Sequence, residues 1–291
     1  MFLYVSKQDY KIPKMRLKYI LDEASHSIKK QAIEDPYIPG LDTTDKSIMA
    51  RNPKYNLDGY GVLFKMNNSV YLVKSQNSIL KNNDKVESKD ALLKKIENLK
   101  SNFIMIFIRN NNHKKKYPNE LNKVQPFLYE NWYFMHNGGF TKHFNYMKNI
   151  MIKEIDKKYL DSVGSNLDSK ILFSFILTKI NKNILTFDFI KQLIIDMINY
   201  IYNIKPSKFN ITLNFILSNV KKNVYIVMRY RTCKEIPAAL YYKLDFKKGF
   251  IVCSEPINYQ KGWTLLNDQL LIIINYEYKL YNLDNIKEIC I

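Results

Sequence analysis

The sequence contains few glycines, few cysteines and no long apolar run. Each of these shortages limits the kinds of protein or site that the chain can form. Its three cysteines, Cys233, Cys253 and Cys290, are odd in number and lack metal-ligand spacing. That usage predicts reduced thiols, a cytoplasmic location and no metal site. No stretch of about 18 apolar residues occurs, so we expect no membrane span. We also expect no signal peptide, because no apolar segment follows a basic N-terminal stretch, and no cofactor.

The composition predicts one large folded domain over residues 1–291. Hydrophobic residues make up 46% of the chain, and no Pro/Gly/Ser linker divides it. The net charge of +18 suggests nucleic acid or an anionic membrane as a partner. However, the lysines are spread along the chain, and Lys, Asn, Ile and Tyr are all abundant, as in AT-rich coding genomes of parasites or large DNA viruses. A solvated basic surface is therefore favoured over nucleic-acid binding, and polyanion binding stays the open alternative.

Short β-rich runs flank a helical middle section, which predicts an α+β fold with antiparallel sheets. The segments Tyr60–Lys65 and Val70–Val73 read as a hairpin across Asn67-Asn68. The other predicted strands are Leu3–Val5, Phe103–Ile108, Trp132–Met135, Thr212–Leu217, Val224–Tyr230, Phe250–Cys253 and Leu270–Asn275. Apolar spacing of the helical type predicts helices over Ser88–Leu99, Thr141–Leu160, Ser169–Ile180 and Phe187–Ile201.

Five of the eight glycines fall in three short phrases, and one of these suggests a binding corner. In Met135-His136-Asn137-Gly138-Gly139 an apolar strand ends at His136 and an Asn-Gly pair is predicted to turn the chain. The Asn137 amide and the Gly138 N–H could converge on one oxygen, as in an oxyanion hole. An ordinary Asn-Gly turn explains the phrase equally simply and is favoured when it is taken alone.

Two further residues complete a candidate amino-acid site. Arg109 ends an apolar strand, where its guanidinium could bind a carboxylate with two hydrogen bonds or simply lie at the surface. Asp168 precedes a predicted helix, where it could bind an ammonium group or only cap the helix. Together with Asn137 and Gly138 they predict a site for an α-amino acid that carries a side-chain carbonyl.

The chain resembles the class II glutamine amidotransferases, which have the N-terminal-nucleophile hydrolase fold. It is most similar to the stand-alone subfamily that includes the amidotransferase subunit of a eukaryotic glutathione-degradation complex. The phrases that carry the resemblance run in the family's order to about residue 280: Ser25-His26-Ser27-Ile28 with Gln31, Asp58-Gly59-Tyr60-Gly61-Val62, Ile108-Arg109, Pro126-Phe127, Phe134-Met135-His136-Asn137-Gly138-Gly139, Leu167-Asp168-Ser169, Ser254-Glu255-Pro256-Ile257 and Gly262-Trp263.

The resemblance implies a fold and a set of roles. The fold is a four-layer αββα sandwich of two antiparallel sheets. The roles are carboxylate binding for Arg109, an oxyanion hole for Asn137 and Gly138, and ammonium binding for Asp168. Asp58, Gly59, Gly61 and His136 are expected beside the site as structural residues. A glutamine or γ-glutamyl ligand and a partner subunit are the expected partners.

The same resemblance exposes a missing nucleophile. The family carries a Cys after the initiator Met, whereas this chain has Phe2. Family histidines are replaced by Phe107 and Gln125, and Asn110-Asn111-Asn112 follow the arginine in place of small hydroxyl-bearing residues. Because the nucleophile and its α-amine act as a unit, their loss predicts a pseudoenzyme with no intact catalytic residue.

The alternatives to a pseudoenzyme are an active glutamine or γ-glutamyl amidohydrolase, with a different start or an unrecognised nucleophile, and a polyanion-binding protein on this scaffold. Cys253 is expected in the core. Cys233 and Cys290 have no neighbouring base that would make them nucleophiles. His113 and His143 are expected at the surface, and Trp263 is expected to pack on the C-terminal strands.

Overall fold

The computed structural model describes the chain apart from several segments. Described are residues 1–7, 15–33, 59–79, 96, 98–109, 120–139, 143–181, 183–204, 211–231, 239–245, 249–258 and 260–283. These residues form two compact units. The first comprises Met1–Pro126 and Ala239–Leu265, and the second comprises Phe127–Ala238 and Leu266–Ile291. The single domain predicted over 1–291 stays a prediction.

A seven-stranded antiparallel sheet forms the first unit. In spatial order its strands are β13 (Thr264–Leu265), β11 (Tyr241–Asp245), β12 (Gly249–Cys253), β1 (Phe2–Ser6), β6 (Phe103–Ile108), β3 (Tyr60–Met66) and β4 (Ser69–Ser75). A separate short pair joins β2 (Met15–Arg16) to β5 (Lys100–Ser101). The predicted hairpin across Asn67-Asn68 is confirmed, and Asn67 supplies the left-handed turn residue with φ 55°.

One face of this sheet is covered by helical turns from the segment 15–33. A π-helical turn spans Tyr19–Glu23, and helix α1 spans Ile28–Ile33. Their buried side chains form one apolar cluster with the alternate residues of the strands, because successive side chains of a strand point to opposite faces. The cluster includes Phe2, Tyr4, Ile20, Ile28, Val62, Ile104, Ile106 and Cys253.

The second unit is built on a six-stranded antiparallel sheet. Its strands, in spatial order, are β15 (Glu277–Asn282), β14 (Gln269–Ile274), β10 (Val224–Arg231), β9 (Thr212–Asn219), β8 (Trp132–Gly139) and β7 (Phe127–Tyr129). Helices α2 (Phe144–Met151), α3 (Lys157–Val163), α4 (Asp168–Ile180) and α5 (Phe187–Ile204) complete the unit.

Helix α4 is buried almost all round, and it anchors the second unit's core. Its Phe173 stacks on Phe134 of β8 with ring centroids 5.1 Å apart and planes 2° apart. Stacking of this kind adds about 0.5–1.5 kcal/mol to the burial of the two rings. The contact fixes α4 against β8, the strand that carries the candidate Asn-Gly corner.

The predicted α+β class, with two large antiparallel sheets and several helices, is confirmed. One predicted element is wrong: Thr141–Leu160 is not one helix. Where the structure describes it, the segment forms α2, a 3₁₀ turn at Ile152–Glu154 and the start of α3. The helix predicted over Ser88–Leu99 lies largely outside the described residues, and β7, β11 and β15 were not predicted.

Candidate functional site

The Asn137-Gly138 pair is part of a strand rather than a turn. Strand β8 continues to Gly139, with Asn137 paired to Asn214, Gly138 to Leu213 and Gly139 to Thr212 of β9. Both sequence interpretations assumed that the chain reverses here, and that assumption is wrong. Asn137 and Gly138 are nevertheless exposed, so their polar groups lie at the surface of the extended strand.

Gly138 and Gly139 are required by close packing. Both have positive φ, 152° and 146°, which L side chains rarely adopt. A Cβ on Gly138 would collide with the carbonyl oxygen of Thr212, and a Cβ on Gly139 would collide with Oδ2 of Asp168. The Asp168 carboxylate therefore lies directly against the backbone, two residues beyond Asn137.

Asp168 begins helix α4, and its neighbour Ser169 holds it. Leu167 precedes the first helical residue, so Asp168 lies in the first turn and not at the capping position. The Ser169 backbone N–H donates to Asp168 Oδ1 at 2.7 Å, and the Ser169 hydroxyl donates to the same oxygen at 3.3 Å. A carboxylate in the first turn is also favoured by the helix dipole. Oδ1 is thus bound to Ser169, while Oδ2 lies at Gly139.

His136 approaches the same serine from strand β8. Its Nδ1 lies 2.9 Å from Ser169 Oγ, and its Nε2 lies 3.4 Å from the carbonyl oxygen of Thr212. Burial lowers the pKa of His136 below its usual value of 6.5, although the Asp168 carboxylate and the Thr212 carbonyl oppose that shift. The imidazole is therefore neutral at pH 7. It lies in the structure as a hydrogen-bonding ring, and the structural role expected for it stays a prediction.

A row of polar residues crosses the sheet beside Asn137. Across the strands, Asn137 is paired with Asn214 and Asn214 with Arg229. Directly paired residues point to the same face of a sheet and lie about 5 Å apart at Cβ. Asn214 is fully buried, and Arg229, also buried, donates from Nη1 to the carbonyl oxygen of Leu266 at 2.9 Å. Asn137 therefore borders polar side chains within a sheet that is otherwise largely apolar.

Arg109 lies in the first unit, at the end of β6. Its backbone N–H donates to the carbonyl oxygen of Gly59 at 2.8 Å. Gly59 precedes β3, and Gly61 packs so closely on the Gln125-Pro126 peptide that a Cβ would collide with it. Arg109, Gly59 and Gly61 are thus brought together by neighbouring strands. Asp58 lies outside the described residues.

Two other segments that carry the family resemblance, one with His26 and one with Glu255, contact each other in the first unit. His26 Nδ1 donates to the carbonyl oxygen of Pro256 at 2.8 Å, and its Nε2 lies 3.3 Å from a Glu255 carboxylate oxygen. Gln31 donates to the carbonyl oxygens of His26 and Glu255. These bonds tie the segment from Ser254 to Ile257, which follows β12, to the start of α1.

Phe2 packs into the core of the first unit. It is fully buried, is paired with Ile106 and Cys253 in the neighbouring strands, and belongs to the apolar cluster under α1. Cys253 is a core residue, as predicted, and burial raises the pKa of its thiol far above the usual value. That thiol is therefore protonated and unreactive at neutral pH.

Several smaller predictions can be placed as well. His143 is exposed, as expected, and Trp263 packs on the first unit's apolar cluster; its expected contact with the C-terminal strands stays a prediction. His113, Cys233 and Cys290 lie outside the described residues. Within the described part of the chain, no helix is long and apolar enough to cross a membrane. Those residues also contain no group of three or more His, Cys, Asp or Glu side chains that could hold a metal ion.

The fold has a counterpart among solved structures. It matches a glutamine aminotransferase class-II domain protein from Silicibacter pomeroyi with a TM-score of 0.52 and 19% sequence identity. The match covers 77% of this chain and 91% of that one. The two proteins share a fold. At this identity the likeness says nothing more about the site. No protein-family model matches the chain, and no curated protein matches it.

The predicted site residues of the second unit lie at the end of one strand and the start of one helix. His136, Asn137 and Gly138 belong to β8, and Asp168 begins α4 and lies against Gly139 of that strand. Their roles stay a prediction. Ser169 follows Asp168 in the sequence, but its pattern predicts no role for it. The buried Asn214 and Arg229 were not predicted either, although a polar or charged residue inside an apolar strand run is a usable signal.

Proposed function

We propose that this chain is a glutamine amidotransferase type-2-like protein that has lost the N-terminal Cys nucleophile and keeps a pocket for glutamine or a γ-glutamyl compound. One observation carries the proposal: the Asp168 carboxylate lies against Gly139, next to the exposed Asn137-Gly138 segment. An anionic group beside amide donors suits an amino acid with an ammonium group and a side-chain carbonyl. The shared fold supports the proposal independently of these residues.

In this proposal each group of the ligand has a designated partner. Asp168 binds the α-ammonium group, and Asn137 with Gly138 donates to the oxygen of the side-chain amide. Arg109 binds the α-carboxylate, a role that comes from the resemblance. Each charge-assisted hydrogen bond contributes about 1.5–3 kcal/mol. Loss of Asp168 or Arg109 should therefore weaken binding by roughly tenfold or more.

Catalysis is the part that this chain has lost. Phe2 has no nucleophilic atom and is held in the apolar core. Cys253 does not replace it, because burial keeps that thiol protonated. A protein that binds glutamine without hydrolysing it would act as a sensor or as an interaction subunit, and a protein partner fits the latter role.

Calorimetry with L-glutamine, combined with a glutaminase assay on the same preparation, tests the proposal. We expect binding in the millimolar range or tighter, no release of ammonia, and loss of binding in Asp168→Asn and Arg109→Ala. Tyr71→Ala, at an exposed side chain of the edge strand β4, is the control that should bind normally. Absence of heat with the native protein would show that the chain does not bind glutamine, and binding unchanged in both site variants would show that glutamine binds elsewhere; either result contradicts the proposal.

An active amidohydrolase is the second candidate, and one contact favours it. Ser169 Oγ lies 2.9 Å from His136 Nδ1, so a hydroxyl and a base are paired beside the Asn-Gly segment. Turnover by the native protein that disappears in Ser169→Ala would select this candidate. Turnover together with a Cys at the N-terminus of the intact native protein, measured by mass spectrometry, would point to a different start.

A further inference from the structure

We propose that Ser169 and His136 are positioning residues for Asp168: a hydrogen-bond chain from His136 Nδ1–H through the Ser169 hydroxyl to Asp168 Oδ1 fixes the carboxylate so that Oδ2 lies at Gly139. The chain would make the ammonium subsite a rigid one. The inference rests on the proposed function, in which Asp168 binds the ligand's ammonium group, and it adds the residues that orient it.

The distances define the chain of contacts. Ser169 Oγ lies 2.9 Å from His136 Nδ1 and 3.3 Å from Asp168 Oδ1. His136 and Ser169 are both buried, whereas Asp168 is only half-buried. Two buried side chains therefore support a carboxylate that solvent and ligands can reach. A supporting shell of this kind is what holds a binding group within about 0.5 Å of its working position.

The direction of the hydrogen-bond chain follows from the Asp168 carboxylate at its end, which can only accept. If the neutral ring carried its proton on Nε2, the Ser169 hydroxyl would donate to Nδ1, and its lone pairs would face the anionic Oδ1. With the proton on Nδ1, the ring donates to Oγ and the hydroxyl donates to the carboxylate, which is the stronger, charge-assisted arrangement. The competing contact, from Nε2 to the Thr212 carbonyl at 3.4 Å, favours a proton on Nε2, and both it and the 3.3 Å contact from the Ser169 hydroxyl to Oδ1 are longer than ordinary hydrogen bonds. Because the charge on Asp168 strengthens the second contact, we assign the proton to Nδ1.

The two carboxylate oxygens of Asp168 then make different contacts. Oδ1 receives the N–H and the O–H of Ser169, and these bonds prevent the carboxylate from rotating. Oδ2 lies over Gly139, where the missing Cβ leaves room for it. Without the Ser169 hydroxyl, Oδ1 loses one of these two bonds, and the carboxylate can turn more easily about its Cβ–Cγ bond.

Binding of two ligands separates this role from general stability. L-glutamine carries the ammonium group, and glutaramate is the same molecule without it. We expect the native protein to prefer L-glutamine by roughly 10- to 100-fold, the value of a charge-assisted hydrogen bond. Asp168→Asn should abolish the preference, and Ser169→Ala should reduce it about fivefold. Glutaramate should bind equally well to all three proteins.

Conservative variants provide the rescue test. His136→Phe keeps a ring of similar size but removes the donor, so it should reduce the preference as Ser169→Ala does. His136→Asn places an amide donor near the position of Nδ1 and should restore part of the preference. Ser174→Ala is the matched control: it removes a buried serine hydroxyl from the same helix, where Ser174 donates to the Tyr159 carbonyl instead. Its preference should equal that of the native protein.

A measurement without ligand tests the hydrogen-bond chain directly. The side-chain ¹⁵N shifts of His136 at pH 7.5 should show a protonated Nδ1 and an unprotonated Nε2, and Ser169→Ala should shift the ring toward the other tautomer. A proton on Nε2 in the native protein would overturn the inference while leaving the proposed function standing. So would a full ligand preference in Ser169→Ala when Asp168→Asn has lost it. No preference for L-glutamine in the native protein would overturn the proposed function, and the inference with it.

Discussion

Replacement of Gly139 by alanine tests the central geometry of the site. The new Cβ would lie on Oδ2 of Asp168, and the residue would have to keep a φ of 146° or distort the end of β8. Backbone strain of this kind is worth about 1–3 kcal/mol. Displacement of a hydrogen-bonded carboxylate adds about 1 kcal/mol more. We therefore expect Gly139→Ala to lower the free energy of unfolding by roughly 2–4 kcal/mol.

Gly164→Ala is the control that separates strain from the clash. Gly164 also has positive φ, 89°, but its Cβ would meet only the flexible end of Lys170, with Nζ at 3.3 Å. The control should therefore show the strain without moving Asp168. Urea unfolding measures the stability of both variants, and calorimetry measures their preference for L-glutamine over glutaramate. Both should lose stability, and only Gly139→Ala should lose the preference.

A double-mutant cycle makes the argument quantitative. Asp168→Ala removes the oxygen that the new methyl group would strike, so Gly139→Ala should cost about 1 kcal/mol less in that background than in the native one. Additive effects would mean that the Asp168 side chain does not lie against Gly139. A normal ligand preference in Gly139→Ala would likewise refute the assignment of Asp168 to the ammonium group.

Three further predictions concern the core and the titrating groups. Phe2→Ala should lower the free energy of unfolding by about 3–5 kcal/mol in urea, whereas the exposed Tyr71→Ala should change it much less. Burial lowers the pKa of His136 below 6.5, so below about pH 6.5 the unfolded chain binds the proton more readily and stability falls with acid. His136→Asn should flatten that fall between pH 7.5 and 5.5, and an unchanged slope would contradict it. Burial raises the pKa of the Cys253 thiol, so iodoacetamide at pH 8 should label Cys253 only after unfolding, as peptide mapping would show.

Most strands of the two sheets were predictable because their signals are local. Continuous apolar runs such as Phe103–Ile108 fold as buried strands, whereas β7, β11 and β15 lack such a run. The helix over Thr141–Leu160 failed although its apolar spacing is good. Met147, Met151, Ile155, Tyr159 and Val163 are all buried and recur every four residues across the break. At the break the Asp156 N–H donates to Thr178 Oγ1 of α4, a residue more than 20 positions later in the sequence. The apolar periodicity of the segment gives no information about that partner, Thr178.

The turn predicted at Asn137-Gly138 was wrong for a related reason. Asn-Gly favours a turn because glycine adopts positive φ, yet the same freedom lets Gly138 lie against the Thr212 carbonyl in an extended strand. The partner strand β9 begins more than 70 residues later in the sequence, so no local pattern distinguishes the two uses. Residue types suggest which groups could bind a ligand, and only the pairing of β8 with β9 shows how the backbone presents them.

The candidate site and the core of the second unit depend on the same contact, the stack of Phe134 on Phe173. Phe134 lies two residues before His136, and its stacking partner Phe173 lies five residues after Asp168. The stack therefore sets the distance between β8 and the first turn of α4, over which His136 reaches Ser169 and Gly139 meets Asp168. A carboxylate held to within a fraction of an ångström needs a helix that cannot slide on its strand. An aromatic core pair beside the site provides that constraint. The packing of this unit requires that pair whether or not catalysis occurs.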